Sequence, residues 1–276
     1  MIAMNLAADT EILEVSLLLE AIFQRFGRDF RHYNRENVRE KLRCFMAAHS
    51  VSTLSALQEK VLHDARYIEP LLRALENPPP ALFEHPERLL KLRETLVPWL
   101  RSCPAPRIWI VDAIAAEQIF WLSILLQEEN LLHKTQIYVT ASDAERLAEA
   151  RRGRFAANLF ALYAENYRRA GGNSSLVDYC VRVEDSFIFN AELHTNITWA
   201  EYHLGRDASL NEFEAIICCA DLSAFTLQRR HHANQVFRES QPMFGVLALV
   251  NENFVAISDI PHYRALYRAY GIYQRC

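Results

Sequence analysis

The sequence predicts two parts, an all-helical N-terminal bundle and a three-layer α/β domain with a parallel sheet. Apolar residues recur at helical spacing through residues 10–75. After residue 107, strand-like and helix-like runs alternate, which is typical of βα units that build a parallel sheet. Two proline-rich breaks, at 77–80 and 102–106, separate these regions, because proline fixes φ and lacks an amide donor.

Four helices are predicted in the N-terminal part. The first is expected to end at Gly27, since glycine commonly terminates helices. Asn34 is predicted to cap the second helix and Ser52 or Thr53 the third, because their side-chain oxygens can accept hydrogen bonds from free backbone N–H groups. The predicted spans are 12–26, 35–49, 54–63 and 68–75, and a fifth helix over 86–100 is expected to connect the two parts.

The α/β part is predicted to contain a small antiparallel insertion at about 176–204, because three short β-rich pieces fall there, at 177–183, 186–190 and 196–202. The predicted domains are a helical domain over 1–76, a linker over 77–106 and the α/β domain over 107–276. Other strands are expected over 107–111, 136–140, 215–219, 244–250 and 253–257, and helices over 115–129, 143–152 and 226–239.

Composition argues against nucleic-acid-binding, membrane-spanning and secreted proteins. Net charge is −4 and the isoelectric point is about 6.2, so no general affinity for nucleic acid is expected. No apolar run reaches the roughly 18 residues that a membrane span needs, and the N-terminus has no basic leader typical of a signal peptide. None of the six cysteines forms a C-x-x-C pair, which favours reduced thiols in a cytoplasmic protein and no metal site.

The first strand-to-helix turn of the α/β part lacks glycine. A strand-like run, 108–111, and a helix-like run, 119–126, flank the turn DAIAAEQ. In nucleotide-binding α/β domains the backbone approaches the cofactor at this turn, and that approach usually requires glycine. No glycine occurs between Arg28 and Arg152. The position is that of a cofactor site, but the residues that would allow the approach are absent. We instead expect Ala113 to Ala116 to form a helix start packed on the sheet, with Ile114 and Phe120 filling the space that a cofactor would occupy.

Six strings occur in the order and spacing of one known family. Residues 26–33 are similar to G-x-D-F-x-x-Y, 39–43 to R-R-I-x-R, 75–86 to L-T-x-N-E-T-x-F-F-R-D-P, 107–121 to a strand followed by S-A-G-C-S-T-G-E-E-P-Y-S, 137–145 to I-x-A-T-D-I-D-x-x-A, and 213–225 to F-D-x-I-x-C-R-N-V-L-I-Y-F. The chain thus resembles the CheR-type methyltransferases, which use S-adenosylmethionine to methylate glutamates of bacterial chemoreceptors. The resemblance implies a Rossmann-like methyltransferase fold with a small antiparallel β insertion, preceded by an all-α domain.

Most positions that the resemblance assigns to the cofactor differ from the family pattern. Pro80 cannot donate a hydrogen bond, Glu84 reverses the charge of the family's arginine, and Ala141 replaces the acid that would accept the ribose hydroxyls. Losing four charge-assisted hydrogen bonds would exceed ~5 kcal/mol, or about a thousandfold in affinity. The degenerate pocket positions are Pro80, Glu84, Asp112, Ala116, Glu117, Gln118, Ala141, His203, Leu204 and Ala220.

A series of arginines steps by three or four residues near the N-terminus. Such spacing predicts one solvated helical face, or else a docking surface for an acidic protein. In the resembled family this helical domain faces acidic receptor helices, so a chemoreceptor or another signalling protein is the expected partner. The candidate partner-binding residues are Arg28, Arg31, Arg35, Arg39 and Arg43.

One histidine and a series of tyrosines are further candidates for function. His203 is a weak catalytic candidate, because no carboxylate at a recognisable spacing orients it. Four tyrosines near the C-terminus step by three or four, which predicts helix packing or, if exposed, a partner surface. They are Tyr263, Tyr267, Tyr270 and Tyr273.

These observations favour a catalytically inactive CheR-like protein that binds or regulates a partner in bacterial chemotaxis, motility or surface signalling. No catalytic residue, cofactor or metal is expected under this interpretation. The first alternative is an active S-adenosylmethionine-dependent protein-glutamate methyltransferase with a divergent site, in which Glu117, Asp143 and His203 line an open polar cleft. The second alternative is a protein that binds another small ligand in the altered cleft.

Overall fold

The computed structural model describes residues 2–26, 28, 30–31, 33–75, 81–142, 144–210, 212–222, 225–250 and 262–276, with side chains from residue 10 onward. The chain divides into two compact units, one of residues 1–78 with 224–227 and one of residues 79–223 with 228–276.

The first unit is helical. Asn34 and Thr53 cap its second and third helices, as predicted: Asn34 Oδ1 accepts from the backbone N–H of Glu36 at 2.9 Å, and Thr53 Oγ1 from that of Ala56 at 3.1 Å. The core is made mainly of leucine, isoleucine and valine side chains from all four helices, together with Phe30 and Phe45. The helices are α1 (Ile2–Phe26), α2 (Arg35–Ala48), α3 (Leu54–His63) and α4 (Ala65–Leu75).

The second unit is built around a seven-stranded sheet of order β6-β2-β1-β7-β8-β10-β9. The first five strands in this order run parallel, and the last two form an antiparallel hairpin at the other end. The strands are β1 (Arg107–Val111), β2 (Gln136–Ala141), β6 (Ile197–Glu201), β7 (Ala215–Cys218), β8 (Val246–Leu249), β9 (Tyr263–Tyr267) and β10 (Ile272–Arg275).

Helices and a second, three-stranded antiparallel sheet complete this unit. The small sheet has the order β3-β5-β4. Trp109 and Trp121 are buried in this unit. The remaining elements are α5 (Pro86–Ser102), α6 (Glu117–Glu128), α7 (Ala144–Arg151), β3 (Arg154–Ala156), α8 (Phe160–Arg169), β4 (Cys180–Val183), β5 (Ser186–Phe189) and α9 (Leu227–Glu239).

Two sequence interpretations are wrong. Residues 196–202 were expected in the antiparallel insertion, but β6 pairs in parallel with β2 at the edge of the large sheet, and β3 takes its place in the small sheet. The C-terminal tyrosines lie on a β-hairpin and its turn, not on a helix, because Gly271 (φ 68°) turns the chain there. Strand β6 was misplaced because the alternation of residues in a five-residue strand does not indicate which sheet the strand joins. The strand expected at 253–257 lies outside the described residues.

A buried ionic cluster joins α5 to α6 and α8. Arg93 Nη1 lies 2.8 Å from Glu128 Oε2, and Arg93 Nη2 lies 2.6 Å from Glu129 Oε1. The Glu128 side chain is 3% exposed. Its Oε1 also accepts from the hydroxyl groups of Tyr167 and Tyr179 and from the backbone N–H of Asn173. The carboxylate is therefore fully engaged, as a buried charge requires.

Candidate functional site

The carboxyl ends of four parallel strands, β1, β2, β6 and β7, meet at one edge of the large sheet. From β1 the chain proceeds outward to β2 and β6, whereas β7 and β8 extend the sheet in the opposite direction. The order of strands therefore reverses between β1 and β7. In open α/β sheets, ligands bind in the crevice at such a switch point. Four of the proposed pocket positions come to this edge: Ala141 is the last residue of β2, and Asp112, His203 and Ala220 follow β1, β6 and β7.

One residue in the turn after β1 has a left-handed backbone conformation, although the turn contains no glycine. Asp112 has φ 57°, a region that aspartate tolerates better than most side chains. Gln118, in the first turn of α6, is buried, and its Oε1 accepts the backbone N–H of Ile114 at 2.7 Å. Ala113 and Ala116 are buried, and Phe120 is fully buried behind them. The predicted packing is present for Ala113, Ala116 and Phe120, but α6 begins only at Glu117, so residues 113–116 form a turn before the helix, and Ile114 is half-buried.

The Asp112 carboxyl lies in a small polar cluster. It accepts hydrogen bonds from the backbone and side chain of Ser142, which follows β2. Arg229 in α9 and His203 after β6 are close enough to act on it electrostatically. Burial nevertheless raises the pKa of Asp112, because desolvation outweighs these favourable contacts. Arg229 is also packed on Gly205, where a Cβ would come within 2.0 Å of its Nε.

His203 has a carboxylate neighbour, contrary to the sequence interpretation. Asp207 Oδ2 accepts the backbone N–H of His203 at 2.7 Å and lies 3.7 Å from His203 Nδ1. Arg206 Nη2 lies 3.1 Å from the same ring nitrogen. The sequence signal for this contact is the i,i+4 spacing of His203 and Asp207. That spacing brings the two side chains together only if the turn has the right geometry, which the sequence does not define.

Glu117 begins α6 and faces a tyrosine. Tyr163 of α8 donates its hydroxyl to Glu117 Oε1 at 3.1 Å. Burial raises the pKa of Glu117, and burial together with the Glu117 charge raises the pKa of Tyr163. Glu84, just before α5, adds to the rise in the pKa of Tyr163, so two carboxylates lie near this phenol. Neither of the two shows an ion pair with a basic side chain within the described ranges.

The remaining pocket positions offer no polar side chain. Ala141 at the end of β2 is fully buried, and Leu204 and Ala220 are buried. Pro80 and Asp143 lie outside the described residues.

The donor set does not fit the cofactor that the family resemblance implies. S-adenosylmethionine carries a carboxylate that needs a cation and ribose hydroxyls that need an acceptor. Glu84 stands where the cation is implied, and Ala141 stands where the acceptor is implied. Among the described pocket positions, Glu117 could face the cofactor ammonium, and one of its carboxylate oxygens already accepts from Tyr163.

The candidate partner-binding arginines do not form one solvated face. α1 ends at Phe26 and α2 begins at Arg35, so no single helix carries them. Arg31 pairs with Glu20 at 3.0 Å, and Arg39 and Arg43 both pair with Glu11. Of the five, Arg43 alone is exposed, and Arg28 and Arg35 are half-buried.

Besides Arg206 and Asp207, which contact His203, three residues of the site were not singled out from the sequence: Ser142, Tyr163 and Arg229. Each acts through a partner that is distant in the chain, so no local motif identifies it. In the part of the chain that the structure describes, no group of three or more metal-ligating side chains is placed to hold an ion, and no helix has the length and hydrophobicity to cross a membrane. The six cysteines are all free thiols.

Comparison with known proteins gives two similarities in sequence. Residues 13–75 match the family described as "CheR methyltransferase, all-alpha domain". A Pseudomonas putida protein named "Putative methyltransferase Cher3" is 32% identical over 250 residues, which cover 90% of this chain and 92% of that protein.

Solved structures of methyltransferases are also similar, but distantly. The glycopeptide N-methyltransferase MtfA with sinefungin has a TM-score of 0.37 at 10% identity, covering 69% of this chain and 58% of that one. The carbon methyltransferase DszA has a TM-score of 0.36 at 15% identity, covering 89% of this chain and 49% of that one. The chain thus spans about half of these structures, and at such TM-scores the likeness carries no weight for function.

Proposed function

Because the chain belongs to the CheR family of methyltransferases, we propose that it is a member that has lost its cofactor site and acts by binding a protein partner. It has the family's Rossmann-like fold with a small antiparallel sheet, preceded by an all-α domain. The observation that carries the proposal is the charge of the site. Glu84 and Glu117 both lie near Tyr163, where the resemblance implies one cation and one anion.

A carboxylate-bearing cofactor would meet repulsion there instead of an ion pair. Like charges at close range oppose binding, most strongly where burial lowers the effective dielectric. At the ribose end, the fully buried Ala141 offers no acceptor. Methyl transfer depends on holding donor and acceptor in line, so loose binding would also remove catalysis.

The test is thermal unfolding with 1 mM S-adenosylmethionine or S-adenosylhomocysteine. All four tryptophans lie in the second unit, so their fluorescence reports the unit that contains the site. A ligand of Kd ~10 μM would stabilise that unit by about 2.7 kcal/mol, or several degrees in Tm. We expect no shift from either compound. A shift of several degrees that Glu117→Gln abolishes would refute the proposal.

A Tm shift that Glu117→Gln abolishes would support the alternative, an active protein-glutamate methyltransferase. Two observations favour it: the left-handed backbone of Asp112 and the retained carboxylate of Glu117 at the start of α6. A third possibility, another small ligand at the cluster of Asp112, Ser142 and His203, would appear as a Tm shift in a metabolite screen.

Two surfaces suit a protein partner. β4 is an edge strand of the small sheet, and its Val181 and Val183 are exposed, so an extended peptide could pair with it. Arg43 offers an exposed cation on the helical unit. Binding of a chemoreceptor cytoplasmic fragment should be lost in Val181→Lys or Arg43→Glu, each compared with Leu162→Lys, which alters an exposed apolar residue on α8. Equal binding by all three variants would contradict this assignment.

A further inference from the structure

The turn between α9 and β8 exposes two adjacent apolar side chains. Met243 and Phe244 are 51% and 56% exposed. The backbone N–H of Gly245 donates to the Pro242 carbonyl at 3.0 Å and closes the turn, and Phe244 has φ 69°. The third residue of a turn with positive φ is usually glycine or asparagine, because a bulky side chain is strained in that conformation. Burial does not explain why a phenylalanine stands there.

Phe83 also has a positive φ, 53°, but it is 5% exposed and its ring packs against that of Tyr167 at 5.3 Å. Core packing offsets the backbone cost there, whereas the Phe244 ring lies largely in solvent. The 242–245 turn is nevertheless held firmly. The Phe244 N–H donates to the Arg275 carbonyl at 3.1 Å, and Gln274 Nε2 donates to the Phe244 carbonyl at 3.3 Å. A strained, rigid and exposed aromatic residue is suited to fill a protein pocket of fixed shape. A lipid bilayer would accept the same side chains in any conformation.

The helical unit contains a pocket of matching size between α1, α2 and the start of α3. Its volume is about 290 Å³. A dry cavity of roughly 150 Å³ holds benzene, so this pocket has room for a phenyl ring and part of a neighbouring side chain. The buried Val15, Leu42 and Leu54 and the half-buried Met46 give it an apolar wall. The exposed Ser52 also lines it, so a side chain can enter from solvent.

The charges around the pocket leave one carboxylate without a cation. Arg39 pairs with both Glu11 and Glu36, and Arg43 pairs with Glu11. Glu14, on the same lining, accepts from a serine hydroxyl and forms no ion pair with any residue that the structure describes. Three carboxylates therefore face two guanidinium groups, and the pocket is acidic.

The 242–245 turn has the opposite charge beside it. The exposed Arg264 donates through Nη2 to Gln274 Oε1 at 2.8 Å, and the same amide donates to the Phe244 carbonyl. Arg264 therefore bonds a neutral group, and it forms no ion pair within the described ranges. Glu239, at the end of α9, lies 3.7 Å from Arg238. Arg264 is thus a cation without a counter-charge, close to the exposed phenylalanine.

We propose that copies of this chain associate head to tail, with Phe244 of one copy inserted into the helical pocket of the next. The ring packs on Leu42 and Leu54, and Arg264 pairs with Glu14 of the copy that supplies the pocket. The two surfaces match in size, polarity and charge, and this match selects a second copy as the occupant. Because the surfaces are different, each associated copy still presents a free turn or a free pocket unless a ring closes.

Sedimentation velocity of the full-length chain tests the association. A single turn buries little area, so association is expected only above roughly 10 μM. Phe244→Gly should abolish it and leave Tm unchanged or higher, because the ring is exposed and glycine adopts positive φ without strain. Leu162→Ala, which removes an exposed apolar side chain from α8, should associate normally. A single monomeric species up to about 500 μM, or normal association of Phe244→Gly, would overturn the proposal.

Charge reversal tests the predicted ion pair. Arg264→Glu and Glu14→Arg should each weaken association several-fold, because each brings like charges together at the contact. The double variant should recover association, since the pair is restored with its signs exchanged. Full association of both single variants, or no recovery in the double variant, would contradict the pairing.

Methionine methyl NMR shows which surfaces meet, because Met46 lines the pocket and Met243 lies in the turn. Phe244→Gly labelled with ¹³C-methyl methionine keeps the pocket and lacks the ring, and Met46→Leu assigns the signal. Adding the unlabelled, unsubstituted chain should shift the Met46 resonance saturably and leave that of Met243 unchanged. Adding unlabelled Phe244→Gly should shift neither. If the labelled unsubstituted chain shifts Met243 alone as its concentration rises, two turns meet each other and the proposal is wrong.

Discussion

Replacing Arg93 with methionine should strongly destabilise the second unit. The change removes the cation that pairs with Glu128 and Glu129 and donates to the Gly171 carbonyl. Glu129 retains Arg101 at 2.7 Å, but Glu128, at 3% exposure, loses its counter-charge. Stranding one member of a buried pair costs about 3–5 kcal/mol. With urea m-values of a few kcal/mol per molar, the unfolding midpoint should fall by about 1–2 M.

Tryptophan fluorescence in urea measures this directly, since every tryptophan lies in the second unit. Arg93→Met/Glu128→Gln should recover part of the loss, because the buried charge is gone and the amide oxygen can still accept from Tyr167 and Tyr179. Arg169→Met, which breaks an ion pair exposed on both sides, is the control and should move the midpoint very little. The reasoning fails if Arg93→Met costs less than about 1 kcal/mol, or if the double variant is no more stable than the single one.

Three further predictions concern local contacts. Asn34→Ala should cost the helical unit about 1 kcal/mol, measured by circular dichroism in urea, because it removes the acceptor for two N–H groups of α2; no loss would contradict the cap. Gly153→Ala should destabilise by more than about 1 kcal/mol, since φ is 61° and the new Cβ would lie 2.8 Å from the His194 ring; a neutral result in the fluorescence assay would count against it. Burial lowers the pKa of His194 from 6.5, so its stabilising contribution is complete above that pH and declines as the pH falls below it. His194→Gln should therefore show a shallower loss of stability between pH 7.5 and 5.5, and parallel curves would refute this assignment.

Much of the fold could be predicted from the sequence because local signals and periodicity agree there. Asn34 and Thr53 are good cap residues followed by helical spacing, and the structure confirms both caps. The parallel strands around β1 are continuous apolar runs, as expected of strands buried on both faces. Strand β6 was misplaced because its neighbour in the sheet, β2, is remote in sequence.

The site was only half predictable for the same reason. Pocket positions could be assigned because the resemblance to the CheR-type methyltransferases maps them onto the chain, and the structure brings Asp112, Ala141, His203 and Ala220 to one edge of the large sheet. The side chains that contact these positions could not be predicted, because tertiary packing brings them together. Ser142 and Arg229 act on Asp112, and Tyr163 donates to Glu117. The arginine series shows the opposite failure. A regular spacing indicated one surface, but Glu11 and Glu20 of α1 neutralise three of its members.

The small antiparallel sheet lies entirely within residues 142–196, the single crossover that carries the chain from β2 to β6. Both anchor points of this detour are fixed by ladder pairing in the large sheet, Tyr202 N–H to Ala141 O included. The small sheet is nevertheless part of the core, because Phe155, Phe187 and Phe189 are buried in it and the Phe189 ring stacks on that of Phe120 in α6 at 4.6 Å. A change of length inside this crossover is therefore compatible with the register of the large sheet only where it leaves those aromatic contacts in place.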